Sequence, residues 1–247
     1  LFLITTSTLF LAAALYSLGY LARETGTSHA PHRDLQEGSL FANAPEAVFT
    51  ACLLFFLATM TLVCASNHLG ILWVAVEATT LASAPLIYFH RHHRSLEAAW
   101  KYLLICSIGI ALALLGTFLL AVSTKSAAYG ELPLRLDLLL RAGASYQPMW
   151  LKAAFIFLLV GYGTKMGLAP LHTWLPDAHS ESPSLVSTLL SGALLNCAFL
   201  GILRAQQVLA AAGLAAFGEQ LLVGFGLLSI GIGAAFILRQ PDYKRML

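Results

Sequence analysis

Seven stretches of mostly apolar residues divide this chain, each close to the roughly 20 residues that an α-helix needs to cross a bilayer. No other property narrows the possible folds as far. Lipid offers a bare backbone no hydrogen bonds, so such stretches must satisfy their own amides, which a helix does. The stretches fall at 1–22, 46–66, 69–89, 98–123, 151–169, 184–210 and 219–239. Charge content agrees: only 11% of the 247 residues are Asp, Glu, Lys or Arg, against roughly 25% in ordinary soluble domains. The expected fold class is an all-α membrane protein of about seven transmembrane helices, one transmembrane domain over 1–247. Two polar connections, 23–45 and 124–150, are too short to be domains of their own.

The formal net charge of +2 makes no electrostatic case for nucleic-acid binding. Lys and Arg instead set topology. Arg23, Arg33, Arg91, Arg94, Arg239, Lys244 and Arg245 fall on one side of the alternating spans, and Lys125, Arg135, Arg141, Lys152 and Arg204 on the other. The positive-inside rule assigns the first set to the cytoplasm. Cys52, Cys64, Cys106 and Cys197 each stand alone in an apolar segment without C-x-x-C spacing, and read as small buried hydrophobes. Glycine-rich phosphate loops, nucleophile elbows and dinucleotide fingerprints are absent from the sequence. The first residues lack a starting Met and the basic region and cleavage site of a signal peptide. The chain is expected to be a piece of a longer one.

Ionisable residues inside the apolar runs carry the most information, because a charge at mid-membrane costs at least about 2.5 kcal/mol. Glu77, in "LGILWVAVEATTLASAPLIYF", shares a helical stripe with Thr80 and Ser83. Lys165 lies near the end of "FIFLLVGYGTKMGLAPL", where Gly161, Gly163, Gly167 and Pro170 weaken and then break the helix. The helix should open just after the lysine, making one discontinuous helix there. Backbone freed at that depth is tolerated where it is buried in protein or lines a wet cavity. Burial disfavours a lysine's charged form and a nearby carboxylate favours it. A Lys165–Glu77 pair would thus hold a proton when close and release it when open; the alternative is a static ion pair that fixes helix register.

After the break, "LHTWLPDAHSESPS" places His172, Pro176, Asp177, His179 and Glu181 in a short connection at one membrane face. They read either as a proton entry path or as a solvated loop. Ser182 and Pro183 read as an N-cap and first helical residue of the next span. Asn196, inside that span, is either a bond between helices or a polar step for water. In "HRHHRSLEAAWKY" the three histidines read as an interfacial loop rather than a metal site. Glu97 and Lys101 have the favoured i,i+4 order of a helix pair, although Lys101 near a span's end could join a polar path.

"TKMGLAPLHTWLPDAHSESPS" followed by "LLSGALLN" resembles the signature of the antiporter-like membrane subunits shared by respiratory complex I, group 4 membrane-bound NiFe hydrogenases and multisubunit cation/proton antiporters. "WVAVEATTLASAPLIYFHRHHRSLEAAWKYLLICSIGIALALLGTFLL" looks most like hydrogenase-4 component F and its relatives. The resemblance implies a helix glutamate at Glu77 and a lysine on a discontinuous helix at Lys165 that drive or gate proton movement. It matches His172, Pro170, Pro176, Asp177 and His179 to the connection after that helix. Where the complex I branch often carries a second lysine, this sequence has Asn196, which cannot titrate and would act only through bound water. The family fold has about fourteen helices in two inverted five-helix repeats, of which these spans would be the third to ninth. The second half-channel would then lie outside this chain.

The implied function is proton translocation in a complex I-like or hydrogenase-linked complex of the cell inner (plasma) membrane. This chain would hold no cofactor; iron–sulfur clusters and NiFe or flavin would sit on partner subunits. Its expected partners are other membrane and redox subunits, and lipid. The alternatives are a subunit of a multisubunit Na+/H+ antiporter and a truncated structural scaffold.

Overall fold

The computed structural model describes residues 1–26, 32–33, 40–41, 43–124 and 134–240. In chain order its helices are α1 (Phe2–Gly26), α2 (Glu46–Ala65), α3 (Leu69–Ile87), α4 (His93–Ser123), the short α5 (Leu136–Ala142), α6 (Pro148–Met166), the short α7 (Leu175–Glu181), α8 (Ser184–Leu189), α9 (Leu195–Ala211) and α10 (Ala215–Ile237). Among the described residues seven spans are long and apolar enough to cross a membrane, α8 and α9 together forming one of them. The chain is a multi-pass integral membrane protein. Within the 23–45 connection β1 (His32–Arg33) pairs antiparallel with β2 (Leu40–Phe41). Lys125, Lys244 and Arg245, used above to assign topology, lie outside the described residues.

Local chemistry explains where the boundaries moved. α4 begins at His93 rather than 98 because His92 and Ser95 form a capping box: the His92 ring accepts from the Ser95 N–H at 3.0 Å and Ser95 Oγ from the His92 N–H at 3.2 Å. α6 occupies 148–166 rather than 151–169, with Pro148 in its first turn and Gly167 in the left-handed region at φ 82°. The Gly167 N–H reaches the Gly163 and Thr164 carbonyls and the Leu168 N–H reaches Gly163 at 2.8 Å, a Schellman closure that only glycine adopts without strain.

The interruption expected at Lys165 is therefore a helix end. The span interrupted internally is Ser184–Ala211, where Leu190–Leu194 form a π-turn between α8 and α9. Ser182 is likewise not the N-cap of that span: it terminates α7, and Pro183 holds the cap position at φ −53°, ψ 146°. Proline's fixed φ suits this entry, and its carbonyl takes the Ser187 N–H at 2.9 Å.

The core lies between α2, α3, α4, α6 and α9, with α4 and α6 in closest register. Glycines permit that approach. A methyl added at Gly161 would meet the Ala113 nitrogen at 2.5 Å and the Gly109 carbonyl at 2.6 Å. The outer face of α4, with Leu104, Ile108, Leu115, Phe118 and Val122, is exposed and apolar, as a lipid-facing surface must be. On α10 only Gly218 is buried.

Candidate functional site

The Schellman end of α6 leaves Lys165 in the last helical turn, fully buried at 0% exposure. Its Nζ donates to Thr80 Oγ1 at 2.8 Å and to the Tyr102 hydroxyl, and lies 4.4 Å from the centroid of the Tyr102 ring. α3 contributes a polar stripe at three-residue spacing, Glu77, Thr80 and Ser83, as its helical period demands. Thr80 Oγ1 donates to Glu77 Oε2 at 3.3 Å, and Ser83 Oγ pairs with the Tyr102 hydroxyl at 2.6 Å. From α4, Ser107 Oγ donates to Glu77 Oε1 at 3.2 Å. Glu77 and Lys165 are thus joined through one hydroxyl.

The direct Glu77–Lys165 pair suggested by the sequence does not form. Thr80, one helical turn nearer the α6 terminus, meets the ammonium first. Every group that Lys165 hydrogen-bonds is neutral.

Trp174 closes the same cluster. It is completely buried, its Nε1–H donates to the Thr164 carbonyl at 2.8 Å, and its ring packs on Tyr102 with centroids 5.0 Å apart. Tyr102, Trp174 and Ser107 were not singled out by the sequence reading. An aromatic near the end of a span reads first as part of the interfacial belt. The available signal was that a buried Tyr hydroxyl or Trp N–H needs a polar partner, and few exist in so apolar a chain.

Lys101 and Asp177 lie further out. Lys101 pairs with Glu97 at 2.7 Å, the helical pair anticipated, and with Asp177 at 2.9 Å, which ties α4 to α7. Arg94, Glu97, Ala98, Lys101, Asp177 and Glu181 line a cavity of about 260 Å³, and His92 pairs with Glu181 at 3.5 Å. Of the clustered histidines, His92 caps α4 and His90 Nδ1 sits 3.1 Å from Asn43 Oδ1.

The remaining candidates do not hydrogen-bond Lys165. His179 Nδ1 lies 2.7 Å from Ser187 Oγ. His172 packs edge-on to Phe236 of α10, with centroids 6.5 Å apart, and its buried Nδ1 has no hydrogen-bond partner. Pro170 stands in the turn after α6 and Pro176 in the first turn of α7. Asn196 is neither a bond between helices nor a link to the cluster. Its amide donates to the Gly192 carbonyl of its own span at 2.6 Å, beside a π-turn that shifts the carbonyls out of i→i+4 register.

Residues 66–247 match the family described as NADH:quinone oxidoreductase/Mrp antiporter, transmembrane. A hydrogenase-4 component F homolog of Methylacidiphilum infernorum is 36% identical over 246 residues, 99% of this chain and 49% of that protein. This chain therefore spans about half the length of that relative. A chain of respiratory complex I from Thermus thermophilus, solved with bound aureothin, superposes with a TM-score of 0.65 at 23% identity, over 100% of this chain and 60% of that one. An archaeal membrane-bound sulfane sulfur reductase complex superposes with a TM-score of 0.71 at 18% identity, over 99% and 55% of the two chains. These two superpositions establish a shared fold.

Proposed function

This chain belongs to the NADH:quinone oxidoreductase/Mrp antiporter family of membrane proteins, and from that premise we propose that it translocates protons as an antiporter-like subunit of a complex I-like or hydrogenase-linked respiratory complex. The observation that carries this reading is Lys165, fully buried, solvated only by hydroxyls and one hydroxyl away from Glu77. An ammonium in such a site keeps its charge only while polar groups compensate its lost hydration. Glu77 supplies that compensation through Thr80. A shift of the carboxylate toward Lys165 favours the protonated amine, and a shift away favours release. Electron transfer in this reading occurs on partner subunits that hold iron–sulfur clusters and NiFe or flavin, in the cell inner membrane, and component F of hydrogenase-4 is one analogue. Protons reach Lys165 in this reading from the charged cavity that Lys101 and Asp177 line.

The test uses the intact complex in inverted membrane vesicles. Lys165→Ala and Glu77→Gln should abolish substrate-driven proton uptake while subunit assembly persists. Wild-type pumping by Lys165→Ala would refute the reading. The family description also names the Mrp antiporter, so a sodium/proton antiporter subunit is the second reading. Mass spectrometry of the complex purified through this chain separates them: iron–sulfur or NiFe subunits support the first, small membrane subunits alone the second.

A further inference from the structure

We infer that Trp174 is the plug between the charged cavity at the membrane face and the buried Lys165 cluster, so that Lys165 exchanges protons with that face only when the indole moves aside. The inference rests on the reading of Lys165 as a proton carrier, and the barrier is argued from the packing of α4 against α7. Ala98 lines the cavity, and Tyr102 lies one turn further along the same face of α4. Lys101 and Asp177 mark the outer rim, where α4 and α7 are clasped at 2.9 Å. Trp174, three residues before Asp177, is fully buried and lies on the Tyr102 ring. Below that ring pair the Tyr102 hydroxyl and Lys165 Nζ meet.

Two contacts hold the plug, and both belong to the lysine's own surroundings. The indole N–H binds the Thr164 carbonyl, in the residue before Lys165, and the ring rests on the tyrosine that binds the ammonium. Thr164 O belongs to the last turn of α6, where a helix leaves carbonyls without intrahelical donors, and the Gly167 N–H reaches it at only 3.2 Å. Any change in the α6 terminus or in Tyr102 is therefore felt by the plug directly. Trp174 acts as a positioning and gating residue and takes no proton itself.

Hydroxyl-radical footprinting of the intact complex in native membranes tests the barrier, with oxidation of Tyr102 read by mass spectrometry as the report of water contact. Tyr102 should be protected in the wild type. In Trp174→Ala its oxidation rate should rise about tenfold or more, the change expected when a state populated at 0.1–10% becomes the resting one. Trp174→Phe, which keeps a ring over Tyr102, should remain protected. If Trp174→Ala fails to assemble, Trp174→Leu serves the same measurement. Unchanged Tyr102 protection in the assembled smaller variant would overturn the inference, as would equal oxidation in Trp174→Phe and Trp174→Ala. Footprinting reads no transport, so loss of the barrier is distinguished from failure of the Lys165 reading, which Lys165→Ala pumping reports alone.

Discussion

Thr80→Val isolates the hydroxyl that joins the two intramembrane charges. Valine nearly reproduces the shape of threonine in a site that is completely buried, so the main change is the loss of one oxygen. That oxygen accepts from Lys165 Nζ at 2.8 Å and donates to Glu77 Oε2 at 3.3 Å. A hydrogen bond to a charged group contributes about 1.5–3 kcal/mol. With 1.36 kcal/mol per factor of ten, its removal should slow a step that passes through protonated Lys165 about ten- to hundredfold. Lys165 keeps Tyr102 as a partner, so assembly should survive. The assay is initial proton uptake by inverted vesicles, normalised to the amount of assembled complex, with Thr80→Ser as the variant that restores the hydroxyl. Pumping by Thr80→Val within twofold of wild type, alongside a dead Lys165→Ala, would refute the coupling of Glu77 to Lys165 through Thr80.

Gly161→Ala should force α4 and α6 apart, because its methyl would lie 2.5 Å from the Ala113 nitrogen. Overpacking of this kind costs about 1–3 kcal/mol, read as a lower thermal midpoint of the detergent-purified complex; Gly231→Ala on α10, whose added methyl meets nothing within 4 Å, should leave it unchanged. Asp137, in the connection outside the spans, is held below the usual carboxylate range first by the Arg135 guanidinium, which binds it at 3.1 and 2.9 Å. A depressed carboxylate adds stability above its unfolded-state pKa that is lost as pH falls through the folded value; because the pair is exposed the effect is small. Arg135→Gln should return the Asp137 titration, followed by isotope-edited infrared absorption, toward the ordinary range, and an unmoved titration would show that Arg135 is not the cause.

Composition and periodicity alone determined that this chain is a multi-pass membrane protein, and roughly where its spans fall, since lipid leaves an apolar backbone run no alternative to helix. Lys165 and the Glu77, Thr80 and Ser83 stripe were equally legible, because a charge in an apolar span is costly enough to be conspicuous and a helix puts every third or fourth residue on one face. Only the tertiary structure decided which groups meet. Whether Glu77 touches Lys165 directly depends on the relative height of α3 and α6, which is set by packing rather than by either helix, and it placed Thr80 between them. The depth at which Gly109 and Gly161 let α4 approach α6 likewise has no local signature, yet α4 is what brings Tyr102 to the ammonium and under Trp174. The π-turn beside which Asn196 bonds back to Gly192 was hidden for the same reason: "LLSGALLN" reads as part of one continuous apolar span, and no local signal in it marks the turn where Leu190–Leu194 take up one extra residue.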